Sequence, residues 1–193
     1  MEIKRFADEQ VFGKIKKVIA KNGITDAEGW ELEKKLAGGG PLVNVGIYCI
    51  QAARYATGLE PTSVIAQESP KQDENKFKSV EESISWQMNF GDRVTAECFT
   101  TYTEYLSELR VQAERGWVSL QPAFGYDDIK GNTSAGPLDL GQVLDQALLI
   151  DHVAECIRDN KNIIVSGEEG KKDIAIIEAI YKSARTGKEV FMQ

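Results

Sequence analysis

Residues 80–102 read VEESISWQMNFGDRVTAECFTTY. Val80, Ile84, Trp86, Met88 and Phe90 fall on one side of an extended chain, and Glu81, Ser83, Ser85, Gln87 and Asn89 on the other. That is the period of two of a half-buried strand. Gly91-Asp92 turns the chain back into Val94, Ala96, Cys98, Thr100 and Tyr102, again on alternate positions. A second hairpin follows as SELRVQAE at 107–114, Arg115-Gly116 and WVSLQPAF at 117–124. Four consecutive hairpin-linked strands predict an antiparallel sheet, and the adjacent carboxylates Glu81 and Glu82 read as solvated surface charge.

Outward from the hairpins the periodicity becomes helical. On the C-terminal side Val143, Ala147, Ile150, Ala154 and Ile157 recur at three and four residues until Asn160-Lys161-Asn162. Ser166 and Glu169 then have capping-box spacing ahead of a last helix striped by Ile174, Ile177, Ile180 and Ala184 and ended by Gly187. Val190–Met192 suits an edge strand. On the N-terminal side, residues 2–12 suit a short helix, 14–20 a strand ended by an Asn22-Gly23 turn signal, and 61–67 another strand. Residues 68–79 are charged and aperiodic, as in a mobile surface loop. Strands gathered between helices predict an α+β fold: an open, mainly antiparallel sheet with helices on one face and the other face available for oligomerisation.

The totals narrow the functional classes. The 193 residues suit one domain. With 23 basic and 30 acidic residues the net charge is −7, which disfavours nucleic acid or an anionic membrane as a partner. Cys49, Cys98 and Cys156 are scattered among apolar positions, which suits reduced thiols in a cytoplasmic protein. The three cysteines are far apart and His152 is the single histidine, so a zinc site built from His and Cys is not expected. The charged start MEIKRFADEQ leads us to expect no secretory leader, and no apolar run reaches membrane-spanning length. The two common phosphate-cradling loops, GxxxxGK[ST] and GxGxxG after a strand, are absent.

The stretch with the most chemical promise is GGGPLVNVGIYCIQAARYATG at 38–58. Three glycines lead through Pro41, well suited to a helix's first turn, into an amphipathic helix from about Leu42 to Thr57. Its start offers free N–H groups, and Asn44 and Tyr48 lie one turn apart on the same face. Trp30, in a loop just before the glycines, is placed to form a pocket wall.

The run WELEKKLAGGGPLVNVGIYCIQAARYATGLEP at 30–61 resembles the signature of the glucose-fructose oxidoreductase / inositol dehydrogenase (Gfo/Idh/MocA) family. LRVQAERGWVSLQPAFGYD resembles that family's second hairpin, and DHVAECIRDNKNIIVSGEEGKKDIAIIEAIYKSARTGKEV its closing helix pair. The resemblance implies a C-terminal α+β domain. In such enzymes this domain makes the subunit interface through its sheet and turns its first helix toward the nicotinamide of NAD or NADP held by an N-terminal Rossmann domain. The chain is similar to that second domain alone. It also lacks the string EKP, which supplies the family's usual active-site lysine. Tyr48 matches the family's His-or-Tyr position, the proton donor or acceptor at the substrate oxygen; Asn44 falls where most members carry Asp. Gly38, Gly39 and Gly40 match the turn that approaches cofactor and sugar, and His152 a recurring helix near the substrate. The resemblance thus implies a sugar or polyol substrate and a homo-oligomer, with an isolated chain that binds cofactor poorly and is inactive. The alternative is a non-catalytic assembly domain using the open sheet face, where Phe99 and Trp117 are placed by alternation.

Overall fold

The computed structural model describes residues 2–125, 128–140 and 145–192. In chain order the elements are α1 (Glu2–Asp8), β1 (Ile15–Gly23), α2 (Lys34–Ala37), α3 (Ile47–Thr57), β2 (Pro61–Glu68), β3 (Ser83–Phe90), β4 (Thr95–Thr101), β5 (Leu106–Ala113), β6 (Gly116–Leu120), β7 (Gly131–Thr133), β8 (Gly136–Leu138), α4 (Asp145–Asp159), α5 (Gly167–Thr186) and β9 (Val190–Phe191). Among the described residues nine strands join one open sheet in the order β8-β7-β6-β5-β1-β4-β3-β2-β9. The sheet is antiparallel except where β1 runs parallel to β4, so the α+β expectation holds. Val143, expected in the apolar stripe of the helix at α4, lies outside the described residues.

The alternation of β3 and β4 pairs them as expected, with Trp86 opposite Cys98 and Met88 opposite Ala96. The two hairpins do not sit side by side, however, because β1 lies between β4 and β5 and pairs with both. Asn22-Gly23 is therefore strand rather than turn. The β4–β5 connection crosses the end of β1 so closely that a Cβ on Gly23 would collide with the Glu104 carbonyl oxygen. Glycine is needed there for close approach.

One face of the sheet carries the core. Cys49, Ile50, Ala53 and Ala56 of α3 and Ile176, Ile177 and Ile180 of α5 pack on Val18, Ala20, Val64, Trp86, Met88, Ala96 and Cys98. The small residues let the helices approach closely. Burial pushes the Cys49 and Cys98 thiols up, which keeps them protonated and inert.

The charged stretch before β3 is fixed in place. The Glu82 carboxylate, expected in solvent, is buried and accepts the N–H groups of Gln72 (2.8 Å) and Asp73 (3.1 Å). Phe77 is buried against Tyr102 in a second small core with Ala27 and Val80. A loop must satisfy its backbone groups, and this one does so with a buried acid.

Where α3 ends, the buried Arg54 guanidinium donates to Glu60 at 2.7 and 2.8 Å, to Asp173 at 2.6 Å and to Glu169 at 2.8 Å. This clasp fixes α5 to α3. Burial lifts the Asp173 carboxyl above its usual range while Arg54 draws it down, and hydrogen bonding to Arg54 lowers Glu60. Arg54→Met leaves Asp173 buried without its cation and should lower stability by about 3–5 kcal/mol. Adding Asp173→Asn should recover part of that loss in urea titrations; a double variant as unstable as the sum of the singles contradicts the pairing.

Candidate functional site

The site is built from the glycines upward. The residue closing α2, Gly38, has φ +83°, a left-handed conformation that glycine adopts without strain. Gly39 and Gly40 are buried, and both are glycine because of what lies behind them. A Cβ on Gly39 would collide with the Tyr181 hydroxyl; one on Gly40 would lie 2.7 Å from the Glu81 carbonyl oxygen and 2.8 Å from its Cδ. Glu81, expected in solvent, is 6 % exposed and reaches into this turn. Its Oε2 accepts the Gly40 N–H at 3.2 Å, and its Oε1 accepts the Leu42 N–H at 3.1 Å and the Tyr181 hydroxyl at 2.7 Å. These are N–H groups that a helix start leaves without an intrahelical partner, and the end of the helix favours an acid. Burial, with the neighbouring Glu81, pushes the Tyr181 phenol up, so it stays a donor.

Past Pro41 the chain makes a π-type turn over Leu42–Gly46 before settling into α3. Such turns are rare and concentrate at functional sites. Asn22 on β1 donates to the Val45 carbonyl at 3.0 Å, and Thr100 on β4 to the Pro41 carbonyl at 3.3 Å, so two neighbouring strands pin the turn. Asn44 donates from Nδ2 to Glu31 Oε1 at 2.9 Å, and the other oxygen of Glu31 accepts the Glu28 N–H at 3.2 Å. A carboxylate is thus held against Asn44. Trp30, next to Glu31, is 62 % exposed.

Tyr48 opens onto a cleft of about 1740 Å³ that runs along α3. Its ring is 48 % exposed and meets Phe124 with centroids 6.3 Å apart at 41°. The buried Ser107 hydroxyl holds Phe124 there by accepting the N–H groups of Ala123 and Phe124, each at 2.9 Å. Beyond Tyr48 the same helix presents Gln51, Ala52 and Tyr55 to the cleft.

Of the residues singled out in the sequence, Tyr48 lines this cleft, whereas Asn44 and Trp30 gather with Glu31 near the helix start. His152 does not itself line the cleft: its Nε2 accepts the N–H of Ile164, which does, at 3.2 Å, and lies 3.5 Å from the Cys156 sulfur, whose thiol donates to the Asn162 carbonyl. That arrangement folds the 160–164 turn back over α4. Sequence inspection missed Glu31, Glu81, Ser107 and Tyr181. Glu81 alone carried a signal, as an acid in the residues leading into an apolar strand.

Two family models match the sequence: a GFO/IDH/MocA C-terminal domain over residues 1–119, and an oxidoreductase-family C-terminal alpha/beta domain over residues 91–192. The chain belongs to the Gfo/Idh/MocA family. Among its relatives is a D-xylose 1-dehydrogenase (NADP+) of Haloarcula marismortui, 26 % identical over 170 residues that make up 84 % of this chain and 47 % of that one. The chain spans about half the length of that relative. The aldose-aldose oxidoreductase of Caulobacter crescentus, solved with glycerol, superposes with a TM-score of 0.95 at 35 % identity, covering 99 % of this chain and 59 % of that one. A levoglucosan dehydrogenase solved with NADH and levoglucosan shares the fold, with a TM-score of 0.80 at 17 % identity over 98 % of this chain and 60 % of that one. The glycine turn and α3 lie within the residues that match the GFO/IDH/MocA C-terminal domain. Among the described residues no group of three or more histidine, cysteine and acidic side chains could hold a metal, and no helix is long and apolar enough to cross a membrane.

The glycine turn gives a direct prediction. Gly39→Ala should destabilise the protein by about 1–3 kcal/mol in urea titrations, the usual cost of overpacking. In a Tyr181→Phe background, where the colliding hydroxyl is gone, the same substitution should cost less. Equal costs in the two backgrounds would show that Tyr181 does not set the turn.

Proposed function

We propose that this chain binds the sugar or polyol substrate of an NAD(P)-dependent oxidoreductase and presents the reacting hydroxyl to Tyr48. The observation that carries this is the placement of Tyr48: a half-exposed phenol at the head of α3, at the position matching the family's proton-transfer residue, facing a cleft. The names of the relatives, a D-xylose dehydrogenase and an aldose-aldose oxidoreductase, support the substrate class. When a sugar hydroxyl is oxidised, the carbon gives up hydride and the oxygen gives up a proton. A nicotinamide supplied by a dinucleotide-binding domain would take the hydride.

In this chain Tyr48 is the group proposed to hold the proton, and Asn44 to orient the hydroxyl, with Glu31 fixing the Asn44 amide. A phenol serves as base only beside a cation, and the family's Glu-Lys-Pro lysine would supply one. Two N–H groups at the glycine turn already serve Glu81, so the turn suits an uncharged ring edge better than a phosphate. Gly38, the exposed member of the three, is proposed to meet that ring. Gly39 and Gly40 support it from beneath. Trp30 is kept as a wall near Asn44, and His152 as a residue that shapes the α4 turn rather than touching sugar.

A second reading concerns the uncovered sheet face, proposed as a surface for a second copy of the chain in a cytoplasmic homo-oligomer. Arg110 stacks on Trp117 at 4.2 Å, Ile19 and Phe99 are half-buried, and Ile65 and Phe191 are exposed on that face. Aromatic and arginine side chains of this kind anchor interfaces.

Saturation-transfer NMR tests the first reading. D-xylose or D-glucose should bind the chain weakly, with Kd of about 1 mM or above, and Tyr48→Ala should abolish the transfer. No transfer to either sugar, or transfer unchanged by Tyr48→Ala, contradicts the reading; so does NADP-dependent oxidation of either sugar by the chain alone. Sedimentation velocity at tens of micromolar tests the second. A dimer that Trp117→Glu dissociates is expected, and a wild-type monomer would refute it.

A further inference from the structure

We propose that the cleft along α3 takes a carbohydrate of at least two rings, with Tyr48 beside the reacting ring and Gln51 and Tyr55 beside the next. The proposal rests on the sugar-binding role of Tyr48 and extends it to the length of the substrate.

Three observations carry it. The first is spacing. Tyr48, Gln51, Ala52 and Tyr55 all line the cleft, as residues three, four and seven apart on a helix should. At 1.5 Å per residue, Tyr48 and Tyr55 stand about 10 Å apart along α3. Side chains of one helix lean the same way, so their rings keep that separation. A sugar ring lying over the Tyr48 face leaves the Tyr55 position, about two turns further along the helix, open to a second ring.

The second is room. The cleft, at about 1740 Å³, exceeds the roughly 300–1,000 Å³ that serves a compact ligand. It continues past Tyr55 to Gly58, Leu59 and Glu60 instead of closing behind Tyr48.

The third is chemistry. Between the two tyrosines the wall is an exposed amide, Gln51, and a small residue, Ala52. An amide offers both donors and an acceptor to hydroxyl groups, and alanine leaves space for a ring. The lysines that line the far end are paired: Lys4 with Asp8 outside the cleft, and Lys172 with Glu60 and Glu169. On the remaining wall Asp128 and Lys130 bring one charge of each sign. A neutral, hydroxyl-rich chain fits this lining better than a phosphorylated sugar, whose dianion would need cations not already paired.

The test is a pair of titrations of the isolated chain, followed by protein NMR, with D-glucose and with its disaccharides cellobiose and maltose. At least one disaccharide should bind roughly three- to tenfold more tightly than glucose, the increment of one further aromatic face. Gln51→Ala and Tyr55→Ala should each reduce that increment while leaving glucose affinity within about twofold. The exposed Gln51 variant keeps the test decisive if Tyr55→Ala unfolds. Glucose binding with no gain for either disaccharide, or a gain that survives both substitutions, overturns the extended site and leaves the Tyr48 reading standing. Glucose 6-phosphate binding more tightly than both disaccharides overturns the neutral chain as ligand. Failure of every sugar to bind overturns this proposal together with the reading it rests on.

Discussion

One buried acid organises the working end of the molecule. Glu81 sits where the chain enters β3 and closes a gap that sheet pairing alone leaves open, between the strands and the turn that launches α3. Its two oxygens accept two backbone N–H groups and one phenol, so β3, the glycine turn and α5 meet at a single carboxylate. A buried carboxylate is tolerated only when its hydrogen bonds are supplied. The turn supplies them, and Gly39 and Gly40 lack side chains because Tyr181 and Val43 at the first and Glu81 at the second occupy the space a Cβ would take.

From that anchor the rest of the site follows. With Gly40 and Leu42 held, the π-type turn is pinned by Asn22 and Thr100, and α3 sets off along the cleft with Tyr48 exposed and Cys49 and Ile50 in the core. The far end of the helix is fixed by a different device. Arg54 gathers Glu60, Asp173 and Glu169, so α3 is tied at its start to β3 through Glu81 and at its end to α5 through an ion network. A helix held at both ends keeps its cleft-facing side chains in register, which a binding site needs and which packing of Ala53 and Ala56 alone does not ensure.

Much of this was legible in the sequence, and what was not has a common cause. The alternation of residues 83–101, the helical stripes and the glycine C-caps at 58 and 187 are local patterns, and they placed the hairpins and helices correctly. The insertion of β1 between β4 and β5 depends on long-range pairing that no local period encodes, and Asn22-Gly23 carries the same letters whether it turns or ends a strand under a crossing loop. Glu81 and Glu82 were misjudged for a related reason. Charge predicts exposure unless partners are brought from elsewhere, and here they come from positions 40, 42, 72, 73 and 181. Asn44 and Tyr48 stood out because one short helix start presents both. Glu31 and Ser107 did not, since each acts on a residue far from it in the chain or outside its own element.

The central claim is that the Glu81 carboxylate holds the start of the helix. Amide hydrogen exchange at Gly40 and Leu42, followed by NMR in the wild-type chain and in Glu81→Gln, measures it directly. Both amides should be protected in the wild type nearly as well as those of β3 and β4. Glu81→Gln should speed exchange at these two positions selectively, leaving the sheet protected. Exchange at Gly40 and Leu42 as fast as in an exposed loop in the wild type, or unchanged by the substitution, would contradict the account.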